Sequence, residues 1–182
     1  WRKARPIAPG TRHPMRTRLR MVGRAWYHTT AAWEADHFVL HQTSQVPAFL
    51  REAGKLSEYG TIQAVVRDVE GCYPNMPKEA IRNGLMHIAK TVANAKGVGG
   101  VWVPKRNTIK PCLWEGKTRR NGERPAPHGY VGLPFEVMQS AMEFALDNAI
   151  LEMTPGEIMR QRDGIPMGDP ISPAMTIGAL AW

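Results

Sequence analysis

The sequence has few of the residues that build disulfide frameworks, zinc sites or membrane spans. Cys72 and Cys112 are the only two cysteines among 182 residues, which is too few for a disulfide framework or a four-cysteine zinc site. No apolar run reaches the roughly 18 residues that a membrane-spanning helix needs, and no charged segment followed by an apolar one opens the chain as a secretory leader would. The sequence therefore favours an intracellular protein, and nuclear and cytoplasmic locations fit it equally well.

Acidic residues are missing from one part of the chain. Residues 1–24 contain no Asp or Glu and eight basic residues, and the rest of the chain balances 16 basic against 16 acidic side chains. The N-terminal basic island consists of Arg2, Lys3, Arg5, Arg12, Arg16, Arg18, Arg20 and Arg24. A second basic island consists of Lys105, Arg106, Lys110, Lys117, Arg119, Arg120 and Arg124. Two positive surfaces indicate a polyanionic partner, although charge runs also form plain solvated faces.

The remaining composition is that of a folded domain. Hydrophobic residues make up 43% and charged residues 22% of the chain, which excludes wholesale disorder, collagen and coiled coil. With 17 Gly and 15 Pro, turns are frequent and an all-helical bundle is disfavoured. The chain starts at Trp1 and stops within an apolar run at residues 174–182, so we expect a piece of a longer reading frame.

Hydrophobic periodicity predicts both helices and strands. Apolar residues at three- and four-residue spacing predict helices over residues 13–41, 77–97, 134–153 and 174–181. A run of β-branched residues predicts a strand over residues 61–68, which ends at an aspartate, and two short apolar pieces predict a hairpin within residues 101–114.

One candidate for chemistry lies at the end of the predicted strand, within residues 65–77. Asp68 ends the hydrophobic run, and an aromatic residue, Tyr73, follows five positions later. This segment resembles motif A of reverse transcriptases. The resemblance implies that Asp68 is catalytic and binds metal through its carboxylate, that the carbonyl of Val69 is a further metal ligand, and that Tyr73 excludes the ribose 2′ hydroxyl. Taken alone, an aspartate at this position would more often end a strand or cap a turn.

A second candidate is the loop at residues 164–173, which reads Gly-x-Pro-x-Gly-x-x-x-Ser-Pro. It resembles motif B of the same family. The resemblance places Met167 and Gly168 against the incoming nucleotide, and Gly164, Pro166 and Ser172 against nucleic acid. Glycines allow close backbone approach, and Ser172 is expected to cap the helix that follows. Many reverse transcriptases have Gln where this chain has Met167, so contact there would be apolar, and we interpret the residue as a mark of a retroelement subtype.

The N-terminal segment completes the resemblance. Arg-Pro-Ile at residues 5–7, followed by a basic helix, is similar to the fingers segment that precedes motif A in reverse transcriptases. This implies that Arg5 and Lys3 contact the triphosphate. The second basic island would line the nucleic-acid groove between the two motifs, through Lys105, Arg106, Arg119 and Arg120.

The resemblance implies an α+β fold, a right-hand polymerase fingers/palm fragment with an antiparallel palm sheet packed on helices. Residues 1–60 would be a fingers-like basic segment. Residues 61–182 would be a partial palm, with motif A at 65–77, a basic hairpin insertion at about 100–127 and motif B at 164–173. The family's motif C, an aromatic residue followed by any residue and Asp-Asp, does not occur in this sequence. We therefore expect a fragment that stops before motif C and the thumb and is inactive by itself.

The function implied for the parent protein is RNA-directed DNA polymerisation, encoded by a retroelement. In this family two Mg²⁺ or Mn²⁺ ions serve nucleotidyl transfer. The partners would be an RNA template, a DNA primer and deoxynucleoside triphosphates, with no membrane, and the oligomeric state is left open. One alternative is a non-catalytic nucleic-acid-binding relic with a polymerase-like fold. A less favoured alternative is an RNA-dependent RNA polymerase, a class that typically has Asp where this chain has Tyr73.

Overall fold

The computed structural model describes residues 14–33, 43–55, 60, 65, 71–106, 110–116, 126–154 and 157–180. The chain forms two compact units, one of residues 35–71 and the other of residues 1–34 and 72–182. The helices are α1 (Arg16–Ala31), α2 (Val46–Lys55), α3 (Cys72–Asn75), α4 (Lys78–Lys96), α5 (Phe135–Asp147) and α6 (Ser172–Leu180). The strands are β1 (Val98–Pro104), β2 (Leu113–Gly116), β3 (Tyr130–Pro134), β4 (Ile150–Thr154) and β5 (Glu157–Arg160).

The smaller unit contributes a short 3₁₀ turn at Thr43–Gln45 and helix α2. None of the described side chains of α2 is buried, and Phe49 and Leu50 are 57% and 60% exposed. The strand predicted at residues 61–68, with the aspartate predicted to be catalytic at its end, lies outside the described residues except for Val65. The division into fingers and palm stays a prediction.

Helix α1 confirms the predicted basic helix over Arg16–Ala31. The prediction over residues 13–41 was too long, because the helix ends at Ala31 and the described residues Ala32 and Trp33 are not helical. Its buried side chains, among them Leu19, Val22 and Trp26, recur at three- and four-residue spacing and face the core. The indole Nε1 of Trp26 donates a hydrogen bond to the carbonyl oxygen of Met138, 3.1 Å away, which joins α1 to α5. The arginines of α1 occupy its other faces, as the pattern predicted.

Helix α4 has the boundaries that its sequence predicted. Pro77 precedes its first turn with φ −64°, the angle at which a proline starts a helix without strain. Gly97 ends it in the left-handed conformation at φ 65°, which glycine adopts without a Cβ clash. Ile81, Leu85 and Ile88 lie on the buried face of the helix and are fully buried.

A three-stranded antiparallel sheet follows α4, in the order β2-β1-β3. The predicted hairpin is confirmed, because β1 pairs with β2 in antiparallel register from Val98 to Trp102. Strand β3 pairs along the other side of β1 and had no counterpart in the sequence prediction. Its five residues include a glycine and a proline, which weaken the strand pattern. Val101, Val103 and Leu133 bury one face of this sheet in the core.

The helix predicted over residues 134–153 is shorter than expected. Helix α5 ends at Asp147, and the backbone N–H of Asn148 donates to the carbonyl oxygen of Phe144 at 3.0 Å. The Asn148 side chain donates to the same oxygen at 2.8 Å, so the asparagine closes the last turn. From Ile150 the chain pairs with β5 as an antiparallel hairpin. The last residues of the prediction therefore form β4, and that part of it was wrong.

Helix α6 confirms the helix predicted from residue 174 and starts two residues earlier, at Ser172. It crosses α4 so closely that a Cβ at Gly84 would overlap the backbone carbonyl of Gly178.

The mixture of helices with a three-stranded antiparallel sheet agrees with the predicted α+β class, and the right-hand polymerase arrangement stays a prediction. In the part of the chain that the structure describes, no helix combines the length and apolar character of a membrane span.

Candidate functional site

The motif A and motif B segments meet at Tyr73. This residue lies in the single turn of α3, is half-buried, and packs against the main core. Its carbonyl oxygen accepts a hydrogen bond from the backbone N–H of Ile165, at 2.7 Å. Ile165 is 1% exposed and belongs to the motif B loop. Two segments that lie far apart in the sequence are therefore joined backbone to backbone.

Gly164 makes this contact possible. Its φ is 81°, in the left-handed region, and it is buried. A Cβ at this position would overlap the carbonyl oxygens of Tyr73 and Pro74. Both the backbone angle and the lack of space require glycine here. The glycine expected to approach nucleic acid is instead packed against the motif A segment, while Gly168, with φ 95°, is exposed.

The rest of the motif B loop is held by internal hydrogen bonds. The hydroxyl of Ser172, which is 3% exposed, donates to the carbonyl oxygen of Pro166 at 2.5 Å. The helix cap predicted for Ser172 is wrong, because this hydroxyl closes the loop instead. The carboxylate of Asp169 accepts a hydrogen bond from the backbone N–H of Ile171 at 2.8 Å and supports the start of α6. An aspartate just before Pro170 is a helix-start signal that the sequence offered.

Two further residues support the loop without any signal in the sequence. The Gln161 side-chain amide donates to the carbonyl oxygens of Asp163 at 2.8 Å and Ile165 at 3.3 Å. The Lys78 ammonium group, at the start of α4, donates to the carbonyl oxygen of Leu146 at 2.6 Å and lies 3.5 Å from that of Gln161. The C-terminal end of α5 and the entry to motif B are therefore bound to one side chain of α4.

Helix α1 packs directly on the motif B loop. A Cβ at Gly23 would overlap the carbonyl group of Pro170. The glycine lets the two backbones approach, and the arginines of α1 are thereby fixed relative to the loop.

One residue of the N-terminal basic island contacts one residue of the second. The guanidinium Nη2 of Arg24 donates to the carbonyl oxygen of Lys110 at 3.4 Å. Arg20, one turn earlier in α1, is exposed, as are Lys105 and Arg106 at the end of β1. The backbone N–H of Lys105 donates to the carbonyl oxygen of Gly129 at 2.8 Å, which fixes this end of the hairpin. We call Arg20, Arg24, Lys105, Arg106 and Lys110 the basic strip.

The other predicted site residues are distributed as follows. Met167 is half-buried beside the exposed Gly168, at the outer part of the motif B loop. The predicted residues outside the described ranges are Lys3, Arg5, Asp68, Val69, Arg119 and Arg120. Among the described residues, no group of three or more His, Cys, Asp or Glu side chains could hold a metal ion. The proposed metal ligands are not among those residues, so the fit of a metal there stays a prediction.

Two titratable groups near the basic strip are shifted by burial. The His28 ring lies 4.4 Å from the Trp114 ring, and its Nε2 is buried without a hydrogen-bond partner among the described residues. Burial, helped by the charge of Lys96, lowers the pKa of His28. Burial also raises the pKa of the Cys112 thiol, against a smaller opposite effect of Arg24. We expect a neutral imidazole and a protonated thiol near pH 7, and neither group adds charge to the strip.

Comparisons with protein-family models, curated proteins and solved structures gave no significant match. The family hypothesis therefore depends on the motif residues and on the way the structure arranges those that it describes.

Proposed function

We propose that the parent protein is an RNA-directed DNA polymerase, a reverse transcriptase of retroelement type. The observation that carries the proposal is the hydrogen bond between Ile165 and Tyr73, with Gly164 packed on the same turn. A polymerase of this kind needs its sugar-selecting aromatic residue and its nucleotide-contacting loop side by side. The two motifs were chosen from sequence alone, and their contact supports assigning them to one site.

The arrangement gives each described residue a role. The hydrogen bond from Ile165 to the carbonyl oxygen of Tyr73 holds the backbone that carries this ring against the motif B loop. Met167 and Gly168 lie at the accessible part of the loop and would contact the base pair and the nucleotide. Side-chain hydrogen bonds stabilise this loop and the segments next to it, and they come from Ser172, Gln161 and Lys78.

Metal chemistry would depend on residues of motif A. Asp68 and the carbonyl of Val69 would hold Mg²⁺ or Mn²⁺, which, when bound, lowers the pKa of the primer hydroxyl and neutralises the leaving pyrophosphate. An RNA template and a DNA primer would lie along the basic strip, whose arginines suit bidentate contacts with phosphate.

The first experiment is primer extension by the full-length enzyme on an RNA template with deoxynucleotides. We expect Asp68→Asn to abolish extension while nucleic-acid affinity stays close to that of the unaltered enzyme, because the carboxylate serves the reaction and the basic strip serves binding. Extension at an undiminished rate by Asp68→Asn would refute the metal-ligand assignment. If the unaltered enzyme binds nucleic acid but does not extend a primer, the relic is the correct interpretation.

A second experiment tests sugar selection in the same enzyme. Tyr73→Ala should raise the ratio of ribonucleotide to deoxynucleotide incorporation, because the smaller side chain leaves room for the 2′ hydroxyl. Tyr73→Phe is the matched control and should keep the ratio unchanged, since the ring is retained. An unchanged ratio in Tyr73→Ala, with extension preserved, would remove Tyr73 from this role.

A further inference from the structure

The outer face of the β2-β1-β3 sheet has a composition that neither motif explains. Side chains alternate between faces along each strand, and the inner face packs Val101, Val103 and Leu133 into the core. The outer face therefore carries Gly100, Trp102, Pro104, Leu113, Glu115, Tyr130, Gly132 and Pro134. It holds two aromatic rings, one carboxylate and two positions without side chains.

Trp102 lies at the centre of this face. It is on the middle strand, opposite Leu113 on one side and Gly132 on the other. It is half-buried and does not belong to the core cluster. Tyr130 is on the same face of the neighbouring strand, and its hydroxyl donates to the carbonyl oxygen of Pro111 at 3.2 Å. The sheet thus presents aromatic rings on its outer side, as sheets that stack nucleobases do.

The carboxylate of Glu115 lies over the two glycines of this face. Its Oε2 lies 2.7 Å from where a Cβ of Gly100 would be, and its Oε1 2.9 Å from the corresponding position at Gly132. Any side chain at either glycine would displace the carboxylate. Oε2 is buried and has no hydrogen-bond partner among the described residues. An unpaired buried carboxylate oxygen is costly, so a shift of the Glu115 side chain toward a ligand that brings an N–H donor beside the indole ring would relieve that cost.

Charge identifies the class of that ligand. Lys105 follows β1 at the end of the sheet where Pro104 pairs with Tyr130, and Arg106, Lys110 and Arg24 belong to the same basic strip. A ligand that offers a flat aromatic face, N–H donors at its edge and negative charge at its periphery is a nucleotide chain. Its Watson–Crick donors are free only when it is single-stranded. Guanine presents adjacent N1–H and N2–H donors, which match the two oxygens of a carboxylate.

We propose that the outer face of the β2-β1-β3 sheet binds single-stranded nucleic acid. One base stacks on Trp102, an amino-bearing edge donates to Glu115, and the flanking phosphates lie on the basic strip. The proposal goes beyond the polymerase function in its base-stacking surface, which contains no residue of motif A or motif B, and it shares only the basic strip with the template and primer. RNA and DNA share this chemistry, and the experiment separates them.

The test uses the 182-residue chain and fluorescence anisotropy with short labelled oligonucleotides, without metal or nucleotide. The probes are thymidine oligonucleotides with and without one central dG, the corresponding RNA, and a duplex. The chain should bind a single strand more tightly than the duplex of the same length. The central dG should raise affinity about 5- to 100-fold, the range for a bidentate contact. Tighter binding of either the RNA or the DNA series supports the proposal and identifies the natural ligand.

Three variants locate the binding surface. Trp102→Leu should weaken single-strand binding about 5- to 100-fold, the range for removing the stacking of one base, and Trp102→Phe should restore most of the affinity. Glu115→Gln should remove the preference for dG and leave the affinity for thymidine strands unchanged. Phe144→Leu is the matched control, an exposed aromatic residue on α5, and should change nothing.

The outcomes are separable from those of the polymerase assay. Wild-type affinity in Trp102→Leu, with an unchanged melting temperature, would overturn the proposal, and so would equal binding of duplex and single strand. Trp102→Phe distinguishes a loss of stacking from a loss of folding, because the conservative variant keeps the ring. The strand-binding assay contains neither metal nor nucleotide, so a failure of the polymerase hypothesis would leave this result standing.

Discussion

Gly164 is the residue through which the two motif segments touch, and substitution there tests the contact. Gly164→Ala places a Cβ against the carbonyl oxygens of Tyr73 and Pro74 and forces alanine to φ 81°. We expect a loss of about 2–5 kcal/mol in the free energy of unfolding, from the left-handed angle and from overpacking together. Urea denaturation measures it.

The control separates the two causes. Gly97 also has positive φ, at 65°, but nothing lies within 4 Å of a Cβ built on it. Gly97→Ala should therefore cost only the backbone term, about 1–2 kcal/mol. Equal losses of unfolding free energy in the two variants would mean that a Cβ at residue 164 does not overlap the turn at Tyr73.

His28 makes stability depend on pH. Because burial lowers the pKa of this ring below its usual 6.5, the unfolded chain binds a proton at pH values where the folded chain does not. The contribution of His28 to the free energy of unfolding should therefore be constant above pH 6.5 and decrease as the pH drops below that value. It should level off once the pH is below the pKa of His28 in the folded chain.

The measurement is the melting temperature between neutral and mildly acidic pH for the wild type and for His28→Phe, which keeps a ring on Trp114. The variant should lose less stability on acidification than the wild type. Parallel curves for the two proteins would show that His28 titrates alike in the folded and unfolded states.

At the scale of single residues, the sequence identified those with a local signature. Gly164 and Ser172 were recognisable from the loop pattern, although the hydroxyl of Ser172 bonds back to Pro166 and does not cap α6. Lys78 was not recognisable, because its partner is the distant carbonyl of Leu146, whose position only the tertiary fold defines. Gln161 was not recognisable either, because it bonds nearby carbonyls of an irregular loop that has no periodic pattern. The same holds for Glu115, whose setting depends on glycines of two other strands.

At the scale of elements, the crossing of α4 and α6 can be tested by replacing Gly84 with alanine. The structure and helix propensity predict opposite changes in stability for this substitution. Alanine is favoured over glycine by about 1 kcal/mol inside a helix, so propensity alone predicts that Gly84→Ala stabilises. The structure predicts a net loss of about 2 kcal/mol, because the new Cβ would overlap the carbonyl of Gly178 and push the helices apart. The melting temperature of Gly84→Ala, compared with that of the wild type, distinguishes the two predictions.

Asn83→Ala is the matched control on the neighbouring, exposed position of α4. It should stabilise the protein slightly, by about 0.5 kcal/mol, because only helix propensity changes there. A stabilised Gly84→Ala would show that the two helices do not meet at these glycines.

Elements with clear end signals were predictable, and those without them were not. Helix α4 has Pro77 at its start and Gly97 at its end, and both bounds agree with the prediction. The predicted helix over residues 134–153 ran into β4, because the four-residue repeat continues in apolar residues after Asn148, although these residues pair with the adjacent strand β5 as a hairpin. Strand β3 was missed because its glycine and proline weaken the strand pattern and because its partner among the described residues, β1, is separated from it in the sequence by β2.

At the scale of the whole molecule, charge was predictable in amount but not in arrangement. The sequence showed two basic islands, and the bond from Arg24 to Lys110 joins residues of both. No periodicity links these positions, because the contact depends on how α1 packs against the hairpin. The same is true of the two motif segments, because their order along the chain did not predict that Tyr73 and Ile165 are in contact.

The joined islands predict a specific salt dependence. Removing one phosphate-binding cation should reduce the slope of log affinity against log salt by about 0.7 for single strands. Arg20 lies on α1 and Lys105 directly follows β1, so Arg20→Gln and Lys105→Gln should each reduce the slope by that amount if both residues bind one nucleic-acid molecule. The double variant should reduce it by about twice as much.

Lys90→Gln, an exposed residue of α4 that belongs to neither basic island, is the control and should leave the slope unchanged. The slope is measured by repeating the anisotropy titration at several salt concentrations. If Arg20→Gln alters the slope and Lys105→Gln does not, the ligand binds α1 without reaching the hairpin, and the basic strip is not a single surface. Additive changes would instead mean that one strand binds both elements at once, because counterion release counts only phosphates neutralised in the same complex.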